Sequence, residues 1–320
     1  MRNVLVTGAS DPLGRQLAER LRGRPGVERV VGVEPAASHE WVEGVELVAF
    51  DADHRELVAF MRDYQIDTVL HCGLAPDRSG RGLGGRDARV IETMRLGAAI
   101  VHPDVAVTTW VVASSTSVYP TSSKSPLMHR ENGAAGDADG TPAASLLEAE
   151  DYVRDVARRA PHVNVSILRL QELAGRGITG PLTSLLAQPR LPSVLGYDAL
   201  VQLLAADDAT SALLFAAEIE LAGVYNVASA GSIRWSDAVR AMGRPALPVL
   251  PVEAGPFETL ARRVGAPHVP AGLLGTLRFG HAVDTGKLAS AGFEPEFDQA
   301  ACLAALAAGS NAVQRRVSDR

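Results

Sequence analysis

Short apolar runs and longer amphipathic stretches alternate along the first half of the chain. Val4–Thr7 is an apolar run of strand length, and Leu13–Leu21 returns its apolar side chains at helical spacing. Further strands are expected at Arg29–Val33, Glu46–Phe50, Thr68–His71, Thr109–Ala113 and Val163–Leu168. Helices are expected between them, at Glu56–Tyr64, Arg89–Val101 and Ser145–Arg158. Apolar strands alternating with helices imply a parallel sheet covered on both faces. Right-handed crossovers then give an α/β, doubly wound fold. After residue 170 the pattern loosens, with breaks at Gly175–Gly180, Pro189–Pro192 and Pro245–Pro256. The expected division is a doubly wound domain over 1–170 and a smaller C-terminal lobe over 171–310, interleaved with it. Gln299–Ala308 reads as the last helix, and 311–320 as a flexible tail.

Bulk properties narrow the function classes. The 320 residues are 47% hydrophobic and 21% charged, as in a soluble globular protein with a sizeable core. A net charge of −6 argues against nucleic acid as a partner, since phosphate binding wants a basic face. No apolar run reaches about 18 residues and no secretory signal opens the chain, so no membrane association is expected. Two cysteines, Cys72 and Cys302, make no disulfide framework, which suits a cytoplasmic location. The positive charge is nearly all Arg; the lysines are Lys124 and Lys287 alone.

The segment between the first strand and helix carries the main chemical signal. Thr7-Gly8-Ala9-Ser10-Asp11-Pro12-Leu13-Gly14 places Gly8 for a tight turn and Gly14 for close helix–strand packing. The helix N-terminus then offers amides and a positive dipole end to a pyrophosphate, as in a Rossmann-type dinucleotide site. Asp11 stands where a glycine normally lets the backbone approach the phosphates; its carboxylate either repels them or turns away to cap the helix. Glu34, about 20 residues further on, suits the ribose hydroxyls and would repel a 2′-phosphate, favouring NAD over NADP. Gly80, Gly82 and Gly85 repeat the G-x-G-x-x-G spacing, but no tight strand-to-helix turn precedes them, so a surface loop is expected.

Later motifs continue the pattern. Asp51-Ala52 follows strand three, His71-Cys72-Gly73-Leu74 ends strand four, and Val112-Ala113-Ser114-Ser115-Thr116-Ser117-Val118-Tyr119 ends strand five. Leu168-Arg169-Leu170-Gln171-Glu172, Gly223-Val224-Tyr225-Asn226-Val227 and Asp284-Thr285-Gly286-Lys287 follow in order. Taken with the glycine turn, these residues resemble the extended branch of the short-chain dehydrogenase/reductase superfamily, the nucleotide-sugar epimerase/dehydratase group, over roughly residues 3–300. The resemblance implies NAD(H) or NADP(H) held by Thr7, Gly8, Ser10, Asp11, Pro12, Leu13, Gly14, Glu34, Asp51, Ala52, Cys72, Gly73, Leu74, Ala113, Leu170 and Gln171. It places Ser115 at the catalytic Ser position, with Thr116 and Tyr119 beside it, and Glu172 at a substrate position usually held by Asn. A homodimer through the helices Arg89–Val101 and Ser145–Arg158 is usual in that family, and Tyr152 falls on the second.

The proton donor is missing. Ala149-Glu150-Asp151-Tyr152-Val153 lines up with the Ala-Glu-x-x-Val that follows the family's Tyr-x-x-x-Lys, so Pro142 takes the Tyr position and Leu146 the Lys position. No Tyr-x-x-x-Lys occurs anywhere in the chain. Losing a positioned general acid typically forfeits about 10²–10⁴ in rate, while hydride transfer itself belongs to the cofactor. Ser115 or Thr116 through water, Tyr119 directly, Lys124 as a nearby charge, or an acidic phenol on the substrate are the remaining proton sources. Polyketide ketoreductases of this superfamily that lack the pair are similar in this respect.

Three functions stay open. The first is an atypical ketoreductase of a bulky, aromatic polyketide-type ketone, as in antibiotic biosynthesis. The second is a nucleotide-sugar epimerase or dehydratase with Arg169, Arg176, Arg190 or Arg278 at a diphosphate. The third is a non-catalytic nucleotide-binding protein. Cys72, Trp110 and Trp235 are read as core, Lys124 and Glu148 as solvated, and no metal is expected at Asp51, Asp53 and His54.

Overall fold

The computed structural model describes residues 1–34, 42–49, 54–75, 86–133, 136, 142–251, 269 and 272–318. The elements begin with β1 (Asn3–Thr7), α1 (Pro12–Leu21), β2 (Arg29–Glu34), β3 (Glu46–Ala49), α2 (His54–Asp63), β4 (Thr68–His71) and α3 (Arg86–Ile100). There follow β5 (Thr109–Ser115), α4 (Pro142–Arg159), β6 (Asn164–Leu170), β7 (Leu173–Ala174), α5 (Pro181–Leu186), β8 (Leu191–Val194), β9 (Leu200–Val201) and β10 (Leu204–Ala205). The chain closes through α6 (Ala206–Glu218), β11 (Gly223–Val227), β12 (Ile233–Arg234), α7 (Trp235–Ala241), β13 (Ala246–Val249), α8 (Leu273–Phe279), α9 (Gly286–Ser290) and α10 (Gln299–Ser318).

The chain divides into two compact units. The first comprises Met1–Tyr119, Ala134–Leu170 and Ala209–Val227. Its sheet has seven parallel strands in the order β11-β6-β5-β4-β1-β2-β3. The order reverses between β1 and β4, where open α/β sheets place their ligands. The central strands β4 and β5 are buried at every position, with Val69-Leu70 and Trp110-Val111-Val112-Ala113 as their apolar centres. Helix α1 presents Leu13, Gly14, Leu17, Ala18 and Leu21 to the core, the spacing of one helical face. Helices α3 and α4 approach closely at Gly97, where a Cβ would meet Tyr152 Cε1 at 2.7 Å and the Trp110 ring at 3.0 Å.

Most element boundaries differ from the sequence pattern by one to three residues, and the C-terminal helix by more. Helix α4 starts at Pro142 rather than Ser145, because proline suits the first helical turn, where its missing N–H costs nothing. Strand β11 joins the sheet beside β6, a strand that Gly223-Val224-Tyr225-Asn226-Val227 signals by alternation but that was read only as a motif. Helix α10 runs to Ser318, past the point where the sequence suggests a tail.

The second unit comprises Pro120–Gly133, Gln171–Asp208 and Ala228–Arg320. It contains the two-stranded pairs β10–β7, β12–β9 and β13–β8. Its own core gathers Leu182, Leu185, Leu191, Trp235, Leu277 and Leu303. The Trp235 indole donates to the Pro192 carbonyl at 2.6 Å, satisfying its one polar atom in the interior.

Candidate active site

β1 ends at Thr7, and Gly8 takes φ +69, a left-handed conformation that glycine adopts without a Cβ penalty. The Asp11 amide donates to the Gly8 carbonyl at 3.1 Å and closes the turn. A Cβ on Gly14 would stand 2.0 Å from the Gly8 carbonyl oxygen, so the first turn of α1 lies directly on the Gly8 peptide. A Cβ on Gly8 would come within 3.3 Å of Cys72 Cβ at the end of β4. The turn is thus packed from both sides, and the positive end of α1 opens at it, the form that receives a pyrophosphate.

Asp11 occupies the N-cap position of α1 in extended conformation, but its side chain makes no capping hydrogen bond. Of its two expected behaviours, helix capping is therefore not adopted. Arg15, which the sequence reading passed over, donates from Nη2 to the Ser10 carbonyl at 3.0 Å. It brings a cation to the same turn that carries the Asp11 carboxylate, an arrangement that offsets the charge an anionic ligand would meet.

The end of β4 lies beside this turn. Thr7 pairs with His71, the Cys72 amide donates to the Thr7 carbonyl at 3.2 Å, and Cys72 and Leu74 are buried. Gly73 follows in the turn that leaves the strand. Glu34 closes β2 opposite Ala49 in register; its side chain, and the whole of Asp51 and Ala52, lie outside the described residues.

At the end of β5, Ser115 caps a short 3-10 turn, Thr116–Val118. Its Oγ accepts the Ser117 amide at 3.2 Å, which leaves the hydroxyl proton directed elsewhere. Thr116 is buried beside it and Ala113 is fully enclosed in the strand.

Tyr119 has a different role from the one its neighbourhood suggests. Its hydroxyl accepts from Arg169 Nη1 at 2.8 Å and donates to Asn226 Oδ1 at 2.7 Å. Arg169 in turn grips the Glu150 carboxylate through Nε at 3.1 Å and Nη2 at 2.6 Å. Ser114 donates to the same carboxylate at 2.7 Å, and Arg154 does so at 2.6 Å. Burial disfavours charge on Arg169, but the hydrogen bond and charge of Glu150 outweigh it, so the guanidinium stays protonated well above the ordinary arginine range. This network joins β5, β6, β11 and α4, and it engages the Tyr119 hydroxyl in a structural role, donating to Asn226. It also removes Arg169 from the candidates for a diphosphate. Tyr119→Phe is expected to lower stability by about 1–2 kcal/mol, the cost of a lost buried hydrogen bond. Turnover should stay within about threefold of the parent, whereas loss of a true acid would forfeit about 10²–10⁴; steady-state rates alongside urea unfolding separate the two.

The resemblance puts the family's acid–base pair at Pro142 and Leu146. Pro142 opens helix α4, and Leu146 is buried.

In the second unit, Gln171 donates from Nε2 to the His281 carbonyl at 2.7 Å, and Glu172 clasps α5. The Glu172 carboxylate accepts the Leu182 amide at 3.0 Å and the Thr183 amide at 2.6 Å. Burial pushes this carboxyl above the ordinary range, and the two amides pull it back in part. A Cβ on Gly180 would fall 2.6 Å from Glu172 Oε1, so the clasp also requires that glycine. Glu172 therefore has a structural duty that its match to a substrate position did not reveal.

The same unit holds Arg278, whose guanidinium lies 5.3 Å from the Tyr197 ring centroid and 4.7 Å from that of Phe279. Its buried Nε has no hydrogen-bond partner among the described residues. His129, buried in the segment after Tyr119, and His281 stand with ring centroids 5.9 Å apart, and burial lowers the His129 pKa. No spacing in the sequence pairs these two histidines.

The model of the NAD dependent epimerase/dehydratase family matches residues 4–228. The chain belongs to this family. An uncharacterized protein of Mycobacterium bovis is 32% identical over 303 residues, covering 92% of this chain and 80% of the relative. A relative of the same standing occurs in Mycobacterium tuberculosis. Among solved structures, the UDP-Glc/GlcNAc 4-epimerase of Campylobacter jejuni superposes with a TM-score of 0.73 at 16% identity, over 98% of this chain and 100% of that one. The dTDP-glucose 4,6-dehydratase of Bacillus anthracis, solved with NAD, gives 0.71 at 14% identity over 98% of each chain. At such identities these epimerase/dehydratase structures establish the shared fold. No helix among the described residues is long and apolar enough to cross a membrane.

Proposed function

We propose that this epimerase/dehydratase family member is an NAD(H)-dependent ketoreductase acting on a bulky aromatic ketone of polyketide type. The substrate carries a phenol hydrogen-bonded to the carbonyl that is reduced. What supports this reading is the burial of Leu146, which the resemblance puts at the family's Lys position, together with a Tyr119 hydroxyl that donates to Asn226. The protein thus keeps Ser115 to orient a carbonyl oxygen but lacks the resident acid, a loss felt least by a substrate that brings its own proton. The bound dinucleotide would supply hydride. Gly8 and Gly14 shape its pyrophosphate seat, Arg15 places a cation there, and Ser115 directs its hydroxyl proton to the developing oxyanion.

The test is turnover followed at 340 nm with NADH and peri-hydroxylated aromatic ketones, set against nucleotide sugars. Ser115→Ala should lower the ketone rate by about 10²–10³. Equal rates for the phenolic ketone and its O-methyl ether would contradict the borrowed proton.

A nucleotide-sugar epimerase or dehydratase is the second reading, and Arg278 favours it. An arginine stacked on Tyr197 and Phe279 with a buried, unpartnered Nε suits an anionic group such as a diphosphate. Turnover of a nucleoside-diphosphate sugar, lost in Arg278→Met, would establish that reading instead. Either activity is compatible with a homodimer through α3 and α4, a pairing supported by exposed Ile91 and Met94 on α3.

A further inference from the structure

His71 belongs to no step of the chemistry above, yet it is fully engaged. It is 1% exposed at the end of β4. Its Nδ1 lies 2.6 Å from Thr7 Oγ1, and its Nε2 lies 2.9 Å from Thr93 Oγ1 on α3. Thr93 donates its own hydroxyl proton to the Arg89 carbonyl at 2.8 Å, in the first turn of that helix. The direction of the chain follows from this last bond. With its proton on Arg89, Thr93 Oγ1 can only accept from His71, so Nε2 carries the imidazole hydrogen. A neutral ring then leaves Nδ1 as an acceptor, and Thr7 must donate to it. All three side chains are buried, so each would lose a partner without gaining water if the relay were cut.

Thr7 is the last residue of β1, immediately before the left-handed Gly8. Its carbonyl is held by the Cys72 amide, and its hydroxyl by His71. We propose that His71 is the positioning residue of the cofactor turn: it fixes Thr7 against β4 and ties the turn to the first turn of α3. The relay acts through geometry rather than by touching the ligand, and it rests on the reading that the turn between β1 and α1 seats a dinucleotide. Dinucleotide affinity and the order of the α3 first turn are then linked, since both draw on one chain of hydrogen bonds.

Five proteins test this: the parent, His71→Leu, His71→Gln, Thr93→Val and Thr93→Ser. NADH affinity is measured by fluorescence titration, and amide hydrogen exchange is followed over Arg89–Thr93 with and without NADH. His71→Leu should weaken NADH binding at least tenfold. His71→Gln should restore most of the affinity, because its amide offers one acceptor and one donor at a separation close to that of the ring nitrogens. Thr93→Val should weaken binding severalfold, and Thr93→Ser should repair it. NADH should slow exchange in the α3 first turn of the parent and lose that effect in Thr93→Val, the variant that keeps the comparison available should His71→Leu fail to fold. Unchanged affinity in both His71→Leu and Thr93→Val overturns the relay while leaving the cofactor reading intact. A loss in His71→Leu that His71→Gln does not repair also overturns it. A parent that binds no NADH overturns both.

Discussion

Replacing Gly14 by Ala is expected to abolish dinucleotide binding. The added methyl would stand 2.0 Å from the Gly8 carbonyl oxygen, 2.6 Å from the Gly8 carbonyl carbon and 3.1 Å from Ala9 Cα. All three are backbone atoms, so no rotamer change relieves the contact. Either α1 retreats from the turn or the Gly8 peptide reorients, and both destroy the concavity into which phosphates would fit. A loss of at least a hundredfold in NADH affinity, about 2.7 kcal/mol, is expected. Overpacking would add a stability cost of about 1–3 kcal/mol. Calorimetric titration of NADH, with thermal unfolding as a control, checks this. Binding within threefold of the parent would show that the dinucleotide sits elsewhere.

The second large effect is on stability. Arg169→Met removes the guanidinium that contacts both oxygens of Glu150, a residue with no exposed surface. The carboxylate would keep Ser114 and Arg154, too little to balance a buried negative charge. Breaking one side of such a pair typically costs about 3–5 kcal/mol. Urea unfolding should therefore shift to lower midpoint at unchanged slope. The double variant Glu150→Leu, Arg169→Met should recover much of the loss, because no charge remains to be desolvated. A single variant as stable as the parent would mean that the network contributes nothing to the fold.

The parts that were legible from sequence are those set by local physics. The apolar runs of β4 and β5 announce central strands because both faces are covered, and the Thr7–Gly14 turn declares itself because a reversal between strand and helix leaves few residue choices. Ser115, singled out by its offset from Val118-Tyr119, stands at the C-terminal end of β5. What was illegible depends on partners far apart in sequence. Nothing near Tyr119 foretells Asn226, 107 residues away, and nothing near Glu150 foretells Arg169 as its counter-ion. Glu172 matched a substrate position by spacing, yet its carboxylate closes on amides ten and eleven residues ahead, a tertiary cap that no local pattern encodes. Arg15 carries no signal in the sequence, since its contact with the Ser10 carbonyl exists only once the turn has formed.

Leu146 has a consequence for how this centre can change. It is 8% exposed, in an environment that accepts hydrocarbon. A Leu146→Lys exchange would drive an ammonium into that environment ahead of any partner, since a tyrosine in place of Pro142 would also have to arise at the start of α4. A lysine placed there alone is therefore expected to unsettle α4 before it could serve any chemistry.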